Sequence, residues 1–219
     1  MLIVGIAGGA LMWFGIRGLL RTLTTISFYE HAAVRRRFGR EIVIRYVDTT
    51  SISYGVAEQR HHGARIGAVV TISLEDSKRR RIAFTGNHRE RVSGMFSWRK
   101  VESIDELDSV RDTISEHIAD AWEVRVLNGE EVPWCGRVLI SEGGLATYRG
   151  DTKSRLTPWG EIVRSSSSNQ RHFFHRRGES DAFVRVSKSK ANFLPGLMLI
   201  HRLLKASRQP TPPSAQTLA

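Results

Sequence analysis

Cysteine is nearly absent from this chain: Cys135 is the only one among 219 residues. A single thiol excludes an internal disulfide framework and a zinc site built from several cysteines. Hydrophobic residues make up 41% of the sequence and charged residues 25%, a balance that excludes a polytopic membrane protein and predicts a mostly globular chain. The length suits one large domain or two small ones.

The motifs of the common enzyme classes are also missing. We find no phosphate-binding Walker loop, no recognisable pair of catalytic carboxylates and no Gly-x-Ser-x-Gly elbow, so the serines at 165–168 are interpreted as a polar turn or edge. The glycines at 5–9 do not have the spacing of a dinucleotide-binding loop. We therefore predict no catalytic residues, no cofactor and no enzymatic activity.

The histidines and the thiol do not form a recognisable site. His172 and His175 are three residues apart, a spacing that points them to opposite faces of a strand, where they cannot readily share a metal ion. His61 and His62 are predicted in a polar loop, and no metal site is predicted. Cys135 is predicted to be a small buried thiol, and an enzyme that uses Cys135 with a histidine is kept as an alternative.

Acidic residues are scarce except in one segment. The chain has 33 basic and 22 acidic residues, for a net charge of +11. Within residues 102–123, eight acidic residues stand against Arg111 alone, so this segment carries −7 and the remainder +18. The sequence therefore predicts a basic body with one acidic helix.

Charge is absent from residues 1–16, and Arg17 and Arg21 follow. With Arg17 snorkelling, a helix over residues 1–21 would span roughly 30 Å, the thickness of a bilayer's hydrocarbon core. We predict a membrane-anchor helix at 1–21; a buried core helix and a cleaved signal peptide are the alternatives. By the positive-inside rule, the arginines after this segment predict that the bulk of the chain is cytoplasmic.

Short alternating segments after the anchor predict β-strands. The first three are at 26–29, 33–37 and 41–46, and further strands are predicted near 51–56, 66–74 and 80–84. Ser103 and Glu106 form a capping box at the start of a helix that ends at Asn128-Gly129. Its apolar positions predict one buried face: Ile104, Leu107, Val110, Ile114, Ile118, Ala121 and Trp122.

The pattern of strands is repeated once. Residues 28–34 resemble 140–146 at an offset of 112, and Tyr46-Val47-Asp48 resembles Trp159-Gly160-Glu161 at an offset of 113. Residues 72–84 likewise resemble 174–186, each with a strand, a polar turn and a returning strand. A duplicated β-domain is therefore predicted. The second copy also ends in a helix, predicted to begin near Leu194-Pro195 and to bury Leu197, Ile200, Leu203 and Leu204.

Six or seven short strands followed by one amphipathic helix resemble a pleckstrin-homology-like (PH-like) domain. The resemblance rests on the strand-turn pair at 28–34 with its copy at 140–146, on the Trp159-Gly160-Glu161-Ile162 step and on the two closing helices. It implies a mainly β, α+β fold: two antiparallel β-barrel or sandwich units, each closed by a C-terminal helix and preceded by an N-terminal hydrophobic helix. One larger antiparallel barrel with two helices is the alternative.

The predicted domains are the anchor at 1–21, PH-like units at 22–130 and 131–206, and a disordered, proline-containing tail at 207–219. Two basic clusters are the candidate binding sites. By position, the first cluster matches the strand pair with which PH-like domains hold anionic lipid headgroups, as the resemblance implies; it comprises Arg35, Arg36, Arg37 and Arg40. The second is a basic turn of Lys78, Arg79, Arg80 and Arg81. The alternative is that these side chains only solvate outer strand faces.

The resemblance extends to bacterial membrane-anchored proteins with tandem PH-like domains. It implies a non-enzymatic binding or scaffolding module, held by one span in the bacterial cytoplasmic membrane, with anionic lipid headgroups or another protein as partner. A soluble nucleic-acid-binding protein is the alternative. Two features count against a nucleic acid: the basic run at 78–81 contains no aromatic residue, and the acidic helix would repel phosphate.

Overall fold

Short strands in the first half of the chain form two antiparallel sheets that are followed by a helix. The computed structural model describes residues 24–61, 64–89, 104–149 and 152–208. The first sheet contains β1 (Thr24–Phe28), β2 (Ala32–Arg37) and β3 (Arg40–Arg45). The second contains the longer strands β4 (Thr49–His61), β5 (Ala64–Asp76) and β6 (Arg81–Arg89). Helix α1 then spans Ile104–Leu127.

The second half follows the same order after one additional short strand, β7 (Val132–Trp134). One sheet continues with β8 (Val138–Ser141), β9 (Gly144–Arg149), β10 (Thr152–Lys153) and β11 (Thr157–Pro158). The other contains β12 (Ile162–Ser167), β13 (Arg171–Arg176) and β14 (Ala182–Ser187), and helix α2 (Phe193–Arg208) follows. The predicted class, mainly β with α, is confirmed. Across the described ranges strand pairing stays within each half, which argues against one barrel that runs through both.

Strand register and a buried aromatic corner show the repeat in three dimensions. Phe28 pairs with Ala33 in the first half, and Ile140 pairs with Leu145 in the second, at the predicted offset of 112 residues. Each following sheet is then reached through a short 3-10 helix, η1 (Tyr46–Asp48) or η2 (Trp159–Glu161). The predicted correspondence between these segments is confirmed.

Tyr46 and Trp159 make equivalent hydrogen bonds at this corner. The hydroxyl of Tyr46 donates to the carbonyl of Tyr29 at 2.7 Å, and the indole N–H of Trp159 donates to the carbonyl of Glu142 at 2.7 Å. Both rings are buried. The prediction that the third strand includes Tyr46 was wrong, because the chain turns at this residue to carry the ring into the core.

Helix α1 buries one face against the sheets, although its predicted N-cap, Ser103, lies outside the described residues. Ala119 is buried and Ala121 is only partly so, which corrects the predicted face by a small rotation. Its buried apolar side chains are Ile114, Ile118, Ala119, Trp122 and Val126. These positions follow the 3.6-residue period of a helix.

The end of α1 is the predicted one. Gly129 has a φ of +84°. Its N–H donates to the carbonyl oxygen of Val126 at 3.0 Å, and the N–H of Glu130 donates to the carbonyl oxygen of Arg125 at 3.0 Å. This pair of bonds is the Schellman motif, which satisfies the last carbonyls of a helix and needs a residue that tolerates positive φ.

Buried side chains of both halves form one continuous hydrophobic cluster. Trp134 of β7 lies so close to the first turn of α2 that a Cβ at Gly196 would sit 2.1 Å from its indole Cδ1. The two helices also meet through charge: Arg202 of α2 donates to Asp120 and Glu123 of α1, at 2.5 and 3.0 Å. The halves therefore share a core as well as a polar contact.

The two ends of the chain were predicted as an anchor and a disordered tail. Residues 1–21 lie outside the described part of the chain, and no helix within the described part is long and apolar enough to cross a membrane. The predicted tail begins too early, because α2 continues through Ser207 and Arg208. The hydroxyl of Ser207 donates to the carbonyl of Leu204 at 3.0 Å, and Arg208 donates to that of Ile162 at 3.3 Å, which extends the helix.

Replacing a buried isoleucine of α1 should destabilise the fold far more than replacing an exposed acid. We expect Ile114→Ala and Ile118→Ala each to lower the free energy of unfolding by about 2–5 kcal/mol, because each leaves a cavity in the shared core. Glu116→Ala, on the exposed face, should cost less than about 0.5 kcal/mol. Chemical denaturation measures all three, and similar losses in the two classes would contradict the orientation of α1.

Candidate functional site

The first basic cluster lies on the hairpin formed by β2 and β3. Phe38 and Gly39 make its turn with φ values of +49° and +72°, the conformation of a type I′ hairpin turn. Phe38 is 55% exposed, and the guanidinium carbon of Arg37 lies 5.4 Å from the centre of its ring. A bulky side chain at positive φ is uncommon and strained, a feature associated with functional sites.

Strand register divides the arginines between two faces. Arg37 lies opposite Arg40, and Arg36 lies opposite Glu41. Because side chains alternate along a strand and opposed residues share a face, Arg35, Arg37 and Arg40 lie on one face and Arg36 on the other. The predicted separation of Arg35 and Arg37 from Arg36 is confirmed.

Arg36 is neutralised on its own face. Its Nε donates to Oε2 of Glu41 at 2.7 Å, and this hydrogen bond, with the attraction between the charges, raises the pKa of Arg36. No described carboxylate lies within ion-pair distance of Arg35, Arg37 or Arg40. The predicted cluster of four arginines therefore provides three available cations, which together with Phe38 we call the basic tip.

The chain enters the fold beside the basic tip. Thr24, the first residue of β1, pairs with Arg37. Neighbouring strands in a sheet lie about 4.8 Å apart. The predicted anchor segment, which ends at residue 21, therefore joins the fold at the end of the sheet that carries the basic tip.

The second basic turn is organised around a buried carboxylate. Asp76, 2% exposed, accepts hydrogen bonds from the backbone N–H groups of Lys78 and Arg80 at 3.0 and 2.8 Å, and it lies 2.6 Å from Nη2 of Arg80. Burial acts to raise the pKa of Asp76, but these bonds outweigh it and hold that pKa below its usual value. Arg81 donates to a serine hydroxyl of β5 at 2.8 Å. Arg80 and Arg81 thus stabilise the turn, and Lys78 and Arg79 are exposed.

The histidines of β13 point in different directions, as predicted. Nε2 of the buried His172 lies 2.6 Å from Oγ of Ser165, whereas Nε2 of His175 lies 3.4 Å from Oγ of Ser166. Burial, followed by the neighbouring charge of His201, lowers the pKa of His172 to about 4. The described residues contain no group of three side chains that could hold a metal ion.

Cys135 lies in the turn between β7 and β8, with a φ of +50°. Its Sγ is 3.8 Å from the carbonyl oxygen of Ala191, and burial, partly opposed by Lys190, raises the pKa of the thiol to about 12. No hydrogen bond joins the thiol to a histidine of the described structure. The side chains of His61 and His62 lie outside it.

Two concave features were not predicted from the sequence. A groove of about 590 Å³ between β12 and α2 is lined by Arg164, Lys205 and Arg208. A cavity of about 250 Å³ lies where β4, α1 and the start of α2 meet. The walls of each feature come from segments that are distant in sequence, so no local pattern joins them. For the cavity beside α1, the one signal in the sequence was Ser115, a polar residue on the apolar face of the helix.

The chain matches no family model, no curated protein and no solved structure. Its function must therefore be argued from its own surfaces. Two of the regions described above are considered further as binding sites: the basic tip, and the cavity beside α1.

Cys135 should resist alkylation in the folded protein. A pKa of about 12 leaves a thiolate fraction at pH 8 about a thousandfold below that of an ordinary cysteine. We expect iodoacetamide to modify the native chain at least about tenfold more slowly than the urea-unfolded chain. Intact-mass spectrometry measures both rates directly, since the chain has one thiol. Cys135 is only partly buried, short of the full burial predicted from the sequence, and equal rates would contradict its raised pKa.

Proposed function

We propose that this protein is a non-enzymatic, membrane-anchored binding or scaffolding module that consists of two PH-like units, at 22–130 and 131–206. The order of elements supports the PH-like assignment, because each half has antiparallel sheets followed by a helix that covers them. Residues 1–21 act as a single span in the bacterial cytoplasmic membrane. The bulk of the chain lies on the cytoplasmic side.

The pairing of Thr24 with Arg37 carries this proposal. Two residues separate Arg21 from Thr24, and a linker of that length reaches about 10 Å when fully extended. That distance is comparable with the length of about 8–10 Å over which exposed charges interact in physiological salt. A span that ends at Arg21 would therefore hold the basic tip at the surface of the inner leaflet.

The chemistry of the basic tip suits an anionic lipid surface. Arg35, Arg37 and Arg40 share a face and have no carboxylate partner among the described residues. Each contributes roughly 1 kcal/mol when it lies near an anionic leaflet. The exposed ring of Phe38 suits the interfacial zone, where aromatic side chains are enriched. The charges of the three arginines and the ring of Phe38 thus both favour contact with an anionic membrane surface.

A nucleic acid is the competing partner. A ring beside a guanidinium, as in Phe38 and Arg37, is also a feature of surfaces that stack single-stranded bases. Helix α1 opposes this partner at Glu116, which is exposed, has no ion-pair partner among the described residues and would repel phosphate. The membrane is favoured because the tip lies where residues 1–21 join the fold.

The full chain should remain in the membrane fraction after carbonate washing, which removes peripheral proteins. Leu11→Arg should release much of it, because a charge in the middle of a span costs about 2.5–3.5 kcal/mol. Deletion of residues 1–21 should release all of it, and immunoblotting of the pellet and supernatant measures each outcome. Recovery of the unchanged chain in the supernatant would contradict the anchor.

The fragment 22–219 should float with vesicles that contain phosphatidylglycerol and not with vesicles of phosphatidylcholine alone. Flotation should weaken as salt rises, because the screening length falls from about 10 Å at 0.1 M to about 3 Å at 1 M. Changing Arg35, Arg37 and Arg40 to Gln should weaken binding about a hundredfold, since three contributions of roughly 1 kcal/mol are lost.

Three exposed arginines of the second half provide the matched control: Arg155, Arg171 and Arg185. Changing them to Gln removes the same charge and should alter binding by less than about twofold. Phe38→Ser should reduce the binding that persists at high salt, because contact of the ring with lipid is not screened. Equal flotation of the wild-type fragment with both vesicles, or of the tip variant with the wild type, would overturn the role of the basic tip. Tip-dependent binding to single-stranded DNA without flotation would favour the nucleic acid.

A further inference from the structure

The two halves together line a half-open cavity. Its volume is about 250 Å³. Strand β4 and helix α1 supply the walls from the first half, and the segment from β14 into α2 supplies those from the second. This volume is slightly below the usual range of about 300–1,000 Å³ for ligand pockets, so the cavity suits only a small occupant, of on the order of ten non-hydrogen atoms. Its lining includes Ile52, Tyr54, Ser115, Lys188, Lys190 and Phe193.

Ser115, in the α1 wall of the cavity, has a hydroxyl without a hydrogen-bond partner. The residue is 0% exposed, and its Oγ bonds to no atom of the described structure. A helical serine can satisfy its hydroxyl at the carbonyl four residues earlier, here that of Arg111, but this bond is not formed. Buried unpaired hydroxyls are uncommon because nothing replaces their lost contact with water. The unpaired hydroxyl lies in the wall of the cavity with its oxygen closed off from the open volume, so a ligand can accept its proton only after a small shift of the lining.

Lys188 and Lys190 give the cavity its uncompensated charge. Neither has a carboxylate within ion-pair distance among the residues described. The third cation of the lining, Arg111, is already paired with two aspartates of α1, at 3.0 and 2.6 Å. The hydroxyl of Tyr54 is likewise engaged, since it donates to one of these aspartates at 2.5 Å. The free groups of the site are thus two ammonium ions and one hydroxyl.

The remaining walls are apolar. Ile52 contributes a buried side chain from β4, and Phe193, Leu194 and Pro195 contribute the first turn of α2. A hydrophobic wall with a few convergent polar groups is the usual composition of a small-molecule site. This wall favours a ligand with a hydrocarbon part over a free inorganic anion.

We propose that this cavity binds a small amphipathic anion, a short acyl or aryl chain that carries one carboxylate or phosphate group. The hydrocarbon part lies against Ile52 and Phe193. The anionic group accepts hydrogen bonds from the ammonium groups of Lys188 and Lys190, which charge makes strong. Ser115 donates its hydroxyl proton to an oxygen of the ligand. The site does not depend on the basic tip or on the membrane anchor.

The ligand would also affect the contact between the halves. Ile52 lines the cavity, and its backbone N–H and carbonyl are bonded to Asn192, at 2.8 and 2.7 Å. An occupant that touches β4, α1 and α2 together adds contacts across the same junction. Binding should therefore stabilise the arrangement of the two halves.

The test uses the full chain in phosphatidylcholine nanodiscs and an octanoate probe that carries a diazirine. After illumination, peptide mass spectrometry should locate the label on β4, α1 and the start of α2. Excess octanoate, octyl phosphate or both should suppress labelling, and octylamine should not. Suppression by one anion only supports the site and identifies its headgroup, as a carboxylate or a phosphate.

Variants separate this site from general lipid contact. Changing Lys188 and Lys190 to Gln should reduce labelling about tenfold, and Ser115→Ala should reduce it about fivefold. Ser115→Ala removes a group with no partner, so the variant should fold normally. The matched control changes Lys78 and Lys205 to Gln and should label as the wild type does. Label scattered over the exposed surface, equal suppression by octylamine, or normal labelling of the double lysine variant would overturn the proposal.

Discussion

Asn192 holds the two halves of the molecule together through the backbone of β4. Its side-chain oxygen accepts from the N–H of Ile52 at 2.8 Å, its side-chain nitrogen donates to the carbonyl of Thr50 at 2.8 Å, and its own N–H donates to the carbonyl of Ile52 at 2.7 Å. Asparagine suits this position because it tolerates the φ of +62° that the chain adopts there. Its amide also imitates the hydrogen bonds of a neighbouring strand.

The carbonyl of Asn192 fixes the neighbouring helix in turn. It accepts from the indole N–H of Trp134 at 3.0 Å and from the N–H of Gly196 at 3.2 Å, in the first turn of α2. One residue thus bonds to the first turn of α2, to Trp134 and to β4. The cavity beside Ser115 and the contact between the helices both depend on that placement, because each needs α2 to begin beside β4.

Local patterns predicted those features that are decided by nearby residues. Alternation in the β2–β3 hairpin placed Arg35 and Arg37 on one face, and Asn128-Gly129 marked the end of α1. Contacts across long stretches of chain were not predictable in this way. Asn192 is 140 residues from Ile52, and no pattern in the sequence links them.

The missing information about the binding surfaces was of the same kind. Residues 35, 36 and 37 are all arginine, so their type does not distinguish them. Only the register of β2 with β3 shows that Arg36 faces Glu41. In the second basic turn, Arg80 forms an ion pair with the buried Asp76, a contact that depends on the path of the turn. Charge counting found both basic segments, and the fold determined which of their side chains remain available.

The contact of Arg202 with Asp120 and Glu123 has a consequence for assembly. Because the two halves have the same order of elements, the first halves of two copies of the chain could in principle pack against each other, and so could the second halves. Helix α1 is rich in acids, whereas α2 carries Arg202, Lys205 and Arg208 and no acid. Pairing α1 with a second α1 would bring like charges together, and so would pairing α2 with a second α2. Opposite charge on otherwise similar halves thus selects the unlike pair, which a single chain provides by folding on itself.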